Sequence, residues 1–179
     1  ANKENIAASV QALYEKKLLE LVDMCPKKNL IIMGGCALNC VANSKIKNKN
    51  IWIMPSPGDA GNSLGAAALV EKKKLKWKHP YLGYNIRREV NVSEVVEHLI
   101  SHSYCGIANG RAEFGPRALG NRSILYNPAD KNAKDKVNKI KQREWWRPFG
   151  ASVLESKASQ FFDLPESRHM LFNSNVLYS

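Results

Sequence analysis

Gly110-Arg111-Ala112-Glu113-Phe114-Gly115-Pro116-Arg117-Ala118-Leu119-Gly120-Asn121-Arg122-Ser123-Ile124-Leu125 is the stretch on which the fold turns. A short apolar run at 104–108 precedes it, with the pattern of a buried strand. The stretch itself holds three arginines, three glycines and a proline. That is too much Gly and Pro for a regular helix and too much charge for a core. Arg111, Arg117 and Arg122 do not share a helical face through i, i+4 spacing. They converge only if the chain folds back, which Gly110, Gly115, Pro116 and Gly120 permit. A folded loop that gathers fixed positive charge and exposed backbone N–H groups suits phosphate or carboxylate. A salt-bridged surface turn is the plainer alternative.

Toward the amino terminus, residues 91–100 read as a helix capped by Asn91 or Ser93, with Glu94 and Glu97 in its first turns. His98 and His102 stand at i, i+4, a chelating separation. No HExxH surrounds them, and a partly exposed helix end accounts for the pair. Residues 84–90 read as a strand. The Lys-rich stretch 73–83, with Trp77, His79-Pro80 and Gly83, reads as a linker between domains at 1–73 and 84–179.

Farther back, 29–33 is a continuous apolar run expected to be a strand covered on both faces. Gly34-Gly35 follows, then a helix over 37–47. Strand, glycine pair and helix let backbone approach a nucleotide closely; a tight strand-to-helix turn explains the same pattern equally well. Residues 50–54 form another strand, stopped by Pro55-Ser56-Pro57-Gly58. Asp59 then leads into a helix ending near Lys72. It suits either a ligand crevice or a helix N-cap. Residues 3–24 read as an amphipathic helix with Ile6, Val10, Leu13, Leu18, Leu21 and Val22 on its apolar face.

Beyond the arginine loop, 123–126 reads as a strand, Asn127-Pro128-Ala129-Asp130 as a turn and 132–142 as a polar helix. Arg143-Glu144-Trp145-Trp146-Arg147-Pro148-Phe149 is a second cationic and aromatic cluster. An arginine beside tryptophan stacks on a base or shields a core edge. A strand at 152–154 and a helix at 155–162 follow. The tail from 163 leaves Met170, Leu171, Phe172 and Leu177 without a period or a domain-ending signal, as expected of a segment of something longer.

The chain has 179 residues, 44% of them hydrophobic, and carries a net charge of +11. The size allows one domain or two small ones. The charge favours polyanionic partners, although Lys72, Lys73, Lys74, Lys76 and Lys78 are better read as solvated. Cys25, Cys36, Cys40 and Cys105 form no CxxC pair, which favours a reduced, cytoplasmic setting. No apolar run reaches the roughly 20 residues of a membrane span.

Three motifs stand in fixed order: Gly34-Gly35-Cys36-Ala37-Leu38-Asn39-Cys40, then 58–67 beginning Gly58-Asp59-Ala60-Gly61, then the arginine loop with 143–149 behind it. Together they resemble the O-carbamoyltransferase family of nodulation and antibiotic-tailoring enzymes, over about residues 5–165. The resemblance implies an α/β protein in two parts. The first is the last portion of an actin-like ATPase domain, similar to that of the universal tRNA threonylcarbamoyl-transfer protein. The second is the first portion of a domain similar to the threonylcarbamoyl-adenylate synthases. Such enzymes form carbamoyl adenylate from carbamoyl phosphate and ATP, then pass the carbamoyl group to a hydroxyl of a small molecule.

The resemblance implies roles residue by residue. Arg111, Arg117, Arg122, Arg143 and Arg147 are expected to contact phosphate, triphosphate or carbamoyl. Glu113, Asn121, Ser123, Asn138 and Lys141 are expected at the substrate, with Glu113 orienting an arginine or forming a structural ion pair. Gly34, Gly35 and Asn39 match the adenosine-binding turn. Asp59 matches a ligand of a divalent metal, Fe or Mg, whose paired histidines lie upstream of this chain; His79, His98, His102 and His169 do not match them. The expected partners are carbamoyl phosphate and a hydroxyl-bearing acceptor, without a membrane, with a homodimer left open. A tRNA- or RNA-binding module is the competing reading, favoured by the charge, and an inactive segment is a third.

Overall fold

The computed structural model describes residues 2–164 and 167–177. The described residues separate into two compact units, one drawn from 1–76 and 154–179, the other from 77–153. Both mix helices with small sheets, so the chain is α/β, and each of the three sheets among the described residues has two strands.

In the first unit, helix α1 (Lys3–Met24) begins where the Asn2 side chain accepts from the Glu4 N–H at 3.0 Å. Its inward face differs from the expected stripe. Gln11, Glu15, Leu18 and Val22 are covered, whereas Ile6, Val10, Leu13 and Leu21 are exposed. An ion pair between Glu15 and Lys45 lets a carboxylate occupy that face. Strand β1 (Asn29–Ile32) pairs in parallel with β2 (Asn50–Ile53), Asn29 facing Asn50 and Ile32 facing Ile53. One face of β1 is bare, contrary to the expectation of two covered faces, and Ile31 is 71% exposed.

Parallel strands need a crossover. Here it contains a 3-10 turn (Gly35–Leu38) and a single-turn helix α2 (Cys40–Asn43) in place of the longer helix expected at 37–47. Asn39 breaks that helix, because its side-chain oxygen caps the Ala42 N–H at 3.1 Å. After β2, a 3-10 turn (Asp59–Gly61) enters helix α3 (Asn62–Glu71).

The core of this unit is Ala37, Ile53 and Leu171, flanked by Ile32, Leu38, Ile51 and Phe172. Leu171 comes from the tail that showed no period in the sequence. Asn43, 1% exposed, holds that tail by donating to the Leu171 carbonyl at 2.9 Å and to the Ala37 carbonyl at 2.8 Å. The strand expected at 152–154 does not form, and the helix expected at 155–162 is a 3-10 turn (Glu155–Lys157) joined to a short helix at Ala158–Phe161.

In the second unit, β3 (Asn85–Ile86) pairs antiparallel with β5 (Gly110–Arg111). The strand expected at 84–90 is therefore only two residues long. Helix α4 (Val92–His102) is capped by Asn91, whose side chain accepts from the N–H groups of Ser93 and Glu94. It ends at Ser103, in a left-handed conformation with φ 73°. Strands β4 (Tyr104–Ala108) and β6 (Arg122–Tyr126) pair antiparallel, so both limbs of the arginine loop are fixed by ladders. Strand β4 alternates exposed and half-buried residues, so it is covered on one face and is not fully buried as expected. Helix α5 (Ala133–Ile140) follows. Among the described residues, no helix is long and apolar enough to cross a membrane.

Candidate functional site

The chain folds back between β5 and β6, as the glycines and proline of that stretch predict. What closes the fold is Glu113. Its Oε1 accepts from the backbone N–H groups of Leu119 and Asn121 at 2.8 Å each and from that of Arg122 at 3.2 Å. Burial pushes the Glu113 pKa up, but these backbone donors outweigh it and hold the carboxyl below its ordinary range. Glu113 therefore organises main chain, where the sequence led us to expect an arginine partner. Asn121 donates to the Arg111 carbonyl at 2.8 Å, and the Ser123 hydroxyl accepts from the Gly120 N–H at 3.0 Å. Gly120 has φ 106°, which a residue with a Cβ rarely adopts.

The arginines divide by what they touch. Arg122 is committed to main chain: Nη1 donates to the Asn109 and Asn121 carbonyls at 2.8 and 2.7 Å, Nη2 to those of Tyr84 and Gly110 at 3.0 and 3.3 Å. Four carbonyls on one fork make Arg122 a strut. Arg111 is exposed, held only by Nη1 contacts of 3.3 and 3.4 Å to the Leu82 and Gly83 carbonyls. It opens onto a cleft of about 610 Å³ lined by Gly83, Tyr84, Asn85, Ile86 and Arg87. Arg117 is half-buried.

The second cluster is a separate construction. Asn138, 2% exposed on α5, donates to the carbonyls of Trp145 and Arg147 at 3.1 and 2.9 Å, so it ties the aromatic turn together. Arg143 lies over the Phe149 ring at 4.6 Å and donates to the Pro148 carbonyl at 3.1 Å. Arg147 lies over Trp146 at 5.1 Å and bonds Glu144 at 2.5 Å. That bond holds the Glu144 pKa low and raises that of Arg147. Lys141 is exposed and caps α5. The five arginines do not line one hollow: the cleft bearing Arg111 includes none of Arg117, Arg122, Arg143 or Arg147.

In the first unit, the glycine pair presents bare backbone. Gly34 has φ 95° and donates to the Pro57 carbonyl at 2.8 Å, and nothing stands within 4 Å of where a Cβ on Gly34 or Gly35 would lie. The turn at Gly58 touches the same place, since a Cβ there would meet the Gly35 Cα at 3.8 Å. Asn39 is occupied locally: besides capping α2 it exchanges hydrogen bonds with Gln11, at 2.9 and 3.3 Å. Asp59 is exposed and makes no capping bond, because Gly58 holds the cap position; the N-cap alternative is set aside. Among the described residues, no three His, Cys, Asp or Glu side chains are grouped to hold a metal. Among the described residues, Asp59 thus lacks the companions a metal site needs. His98 and His102 stack with ring centroids 4.3 Å apart, without a third ligand of that kind.

Two family models match the chain. One, described as the carbamoyltransferase N-terminus, covers residues 1–68; the other, the carbamoyltransferase C-terminus, covers 96–178. The chain belongs to the carbamoyltransferase family. Its relatives include nodulation protein NolNO of Sinorhizobium fredii, 34% identical over 92% of this chain and 29% of the relative. Nodulation protein U of Azorhizobium caulinodans is 37% identical over 83% of this chain and 30% of the relative. Nodulation protein NolO of Bradyrhizobium diazoefficiens is 32% identical over 93% of this chain and 37% of the relative. The chain thus spans roughly a third of the length of these curated relatives. Within this carbamoyltransferase chain, the N-terminal match contains the glycine pair and Asp59, and the C-terminal match contains both arginine clusters.

Sequence reasoning missed Gln11, Asn43 and Arg87. Gln11 and Asn43 lay hidden among ordinary helix residues, and nothing in their spacing marks them. Arg87 carried one signal, its place beside a glycine-punctuated strand that pairs with the arginine loop.

Proposed function

We propose that the full-length protein is an O-carbamoyltransferase. Carbamoyl phosphate, water and ATP give carbamoyl adenylate, phosphate and pyrophosphate; an acceptor hydroxyl then takes the carbamoyl group and releases AMP. Both starting substrates are polyanions, so bringing them together requires fixed positive charge. The observation that carries this reading is the Glu113-stapled arginine loop inside the region matched by the carbamoyltransferase C-terminus. Arg111 and Arg117 contact phosphoryl or carbamoyl oxygens, and Arg143 and Arg147, in their separate cluster, supply further positive charge. Arg122, Glu113, Asn121 and Ser123 act through the loop they position, and Asn138 through the turn that bears Arg143 and Arg147. Lys141 adds exposed charge beside that turn.

In this reading residues 1–73 are part of an actin-like domain in which Gly34 and Gly35 offer backbone to adenosine and Asn39 shapes the turn. Residues 84–179 are part of a domain similar to the threonylcarbamoyl-adenylate synthases. A divalent ion would need ligands besides Asp59, and none is grouped with it among the described residues. The acceptor is a small hydroxyl compound, and the setting is cytoplasmic.

The test uses full-length protein. Arg117→Lys keeps the charge and loses the fork, so carbamoyl-adenylate formation should fall at least about tenfold. Unchanged formation removes Arg117 from the site.

A further inference from the structure

The cleft beside the arginine loop carries two guanidinium groups, Arg111 and Arg87, and no carboxylate lines it. Asn85 faces Arg111 directly across the β3–β5 pair, and Arg87 follows two residues later along the same wall. Two like charges lining one side of a sheet repel each other, and an anion between them relieves that repulsion. The wall is held in place by the loop itself. The Tyr84 carbonyl accepts from the Ala112 N–H at 2.9 Å and from Arg122 Nη2 at 3.0 Å. Arg111 is anchored through Nη1 alone, which leaves its Nε and Nη2 edge for a ligand. Tyr84, 82% exposed, adds a phenol ring at the rim.

We infer that Arg87, Asn85 and Arg111 form an oxyanion subsite that binds a phosphate or carboxylate group of a substrate. The inference rests on the proposed carbamoylation in one respect, that this protein handles anionic substrates. Arg87 lies outside both arginine clusters and outside the region matched by the family's C-terminus. The oxyanion comes from one of two sources, the phosphate of carbamoyl phosphate or an acidic group on the acceptor.

Binding of inorganic phosphate to the full-length protein, at constant ionic strength, tests this. Arg87→Ala should weaken phosphate binding about tenfold, the loss expected for a charged hydrogen bond, and Arg87→Lys should weaken it less. Arg88→Ala removes the same charge one residue along and should leave binding unchanged. Equal binding by wild type and Arg87→Ala overturns the subsite, as does an equal loss in Arg88→Ala, which would show only net charge at work. A raised KM for carbamoyl phosphate in Arg87→Ala, with KM for ATP unchanged, assigns the subsite to the donor. An unchanged KM alongside weakened phosphate binding assigns it to an acidic acceptor. Phosphate binding lost in Arg87→Ala, in a protein that forms no carbamoyl adenylate, would leave the subsite standing and sink the carbamoylation reading instead.

Discussion

The arginine loop and the glycine-pair turn solve opposite problems. In the loop, most polar side chains face inward onto their own backbone: Glu113 collects three N–H groups, Arg122 four carbonyls, and Ser123 and Asn121 one bond each. At the glycine pair, side chains are absent and the main chain itself is left bare. Charge density in a sequence therefore does not rank residues by contact with a ligand. Two of the most conspicuous charges in the loop, Glu113 and Arg122, hold its shape, and Arg111, the one opening onto the cleft, is loosely tied.

This contrast breaks first at Glu113. Glu113→Ala strands three backbone donors, and a buried unsatisfied donor costs about 1–3 kcal/mol. We expect a loss of about 3 kcal/mol in the second unit by urea unfolding, with the first unit unchanged. Stability indistinguishable from wild type would mean the loop holds itself. The same carboxylate sets a pH dependence. Its folded pKa is lowered, so its contribution is complete above the free glutamate value of about 4.3 and is lost as pH falls through the folded value. Amide exchange at Leu119 and Asn121 should accelerate in acid below that point.

Arg122→Lys comes next. An ammonium cannot span four carbonyls, and we expect about 1–2 kcal/mol of destabilisation, read as faster exchange around Asn109 and Asn121. Asn39→Ala should cost about 1 kcal/mol in the first unit through the lost cap, and leave the second unit alone. A loss in the second unit on Asn39→Ala would undo the separation between the two regions. The smallest effect concerns Asp130, outside both. Lys136, the Asn132 N–H and Tyr126 hold its pKa at about 2, so its carboxyl carbon should titrate with that midpoint by NMR. A midpoint near the ordinary 3.8 would show the cluster does not form.

Much of the frame was legible because local chemistry and tertiary structure agreed. The bounds of α1 and the Asn91 cap of α4 follow from cap chemistry and helical spacing. The fold-back of the arginine loop follows from its glycines and proline. The misses share a cause. Of the apolar stripe expected on α1, Leu18 and Val22 are covered but Ile6, Val10, Leu13 and Leu21 face solvent, and Glu15 joins the covered face because it finds Lys45, a partner 30 positions away. The helix at 37–47 fails because Asn39 prefers to cap, and a mid-helix asparagine does not announce that. Arg122 and Asn138 were expected to contact a substrate, yet their donors meet main-chain carbonyls. Which carbonyl a long side chain meets is set by the folded path, and residue spacing does not encode it.

The most direct test of the central claim is carbamoyl-phosphate-dependent exchange of labelled pyrophosphate into ATP by the full-length protein and its Arg111→Lys variant. The account predicts exchange in wild type that requires carbamoyl phosphate and falls at least about tenfold in the variant. Exchange that ignores carbamoyl phosphate, or that Arg111→Lys leaves intact, would contradict it.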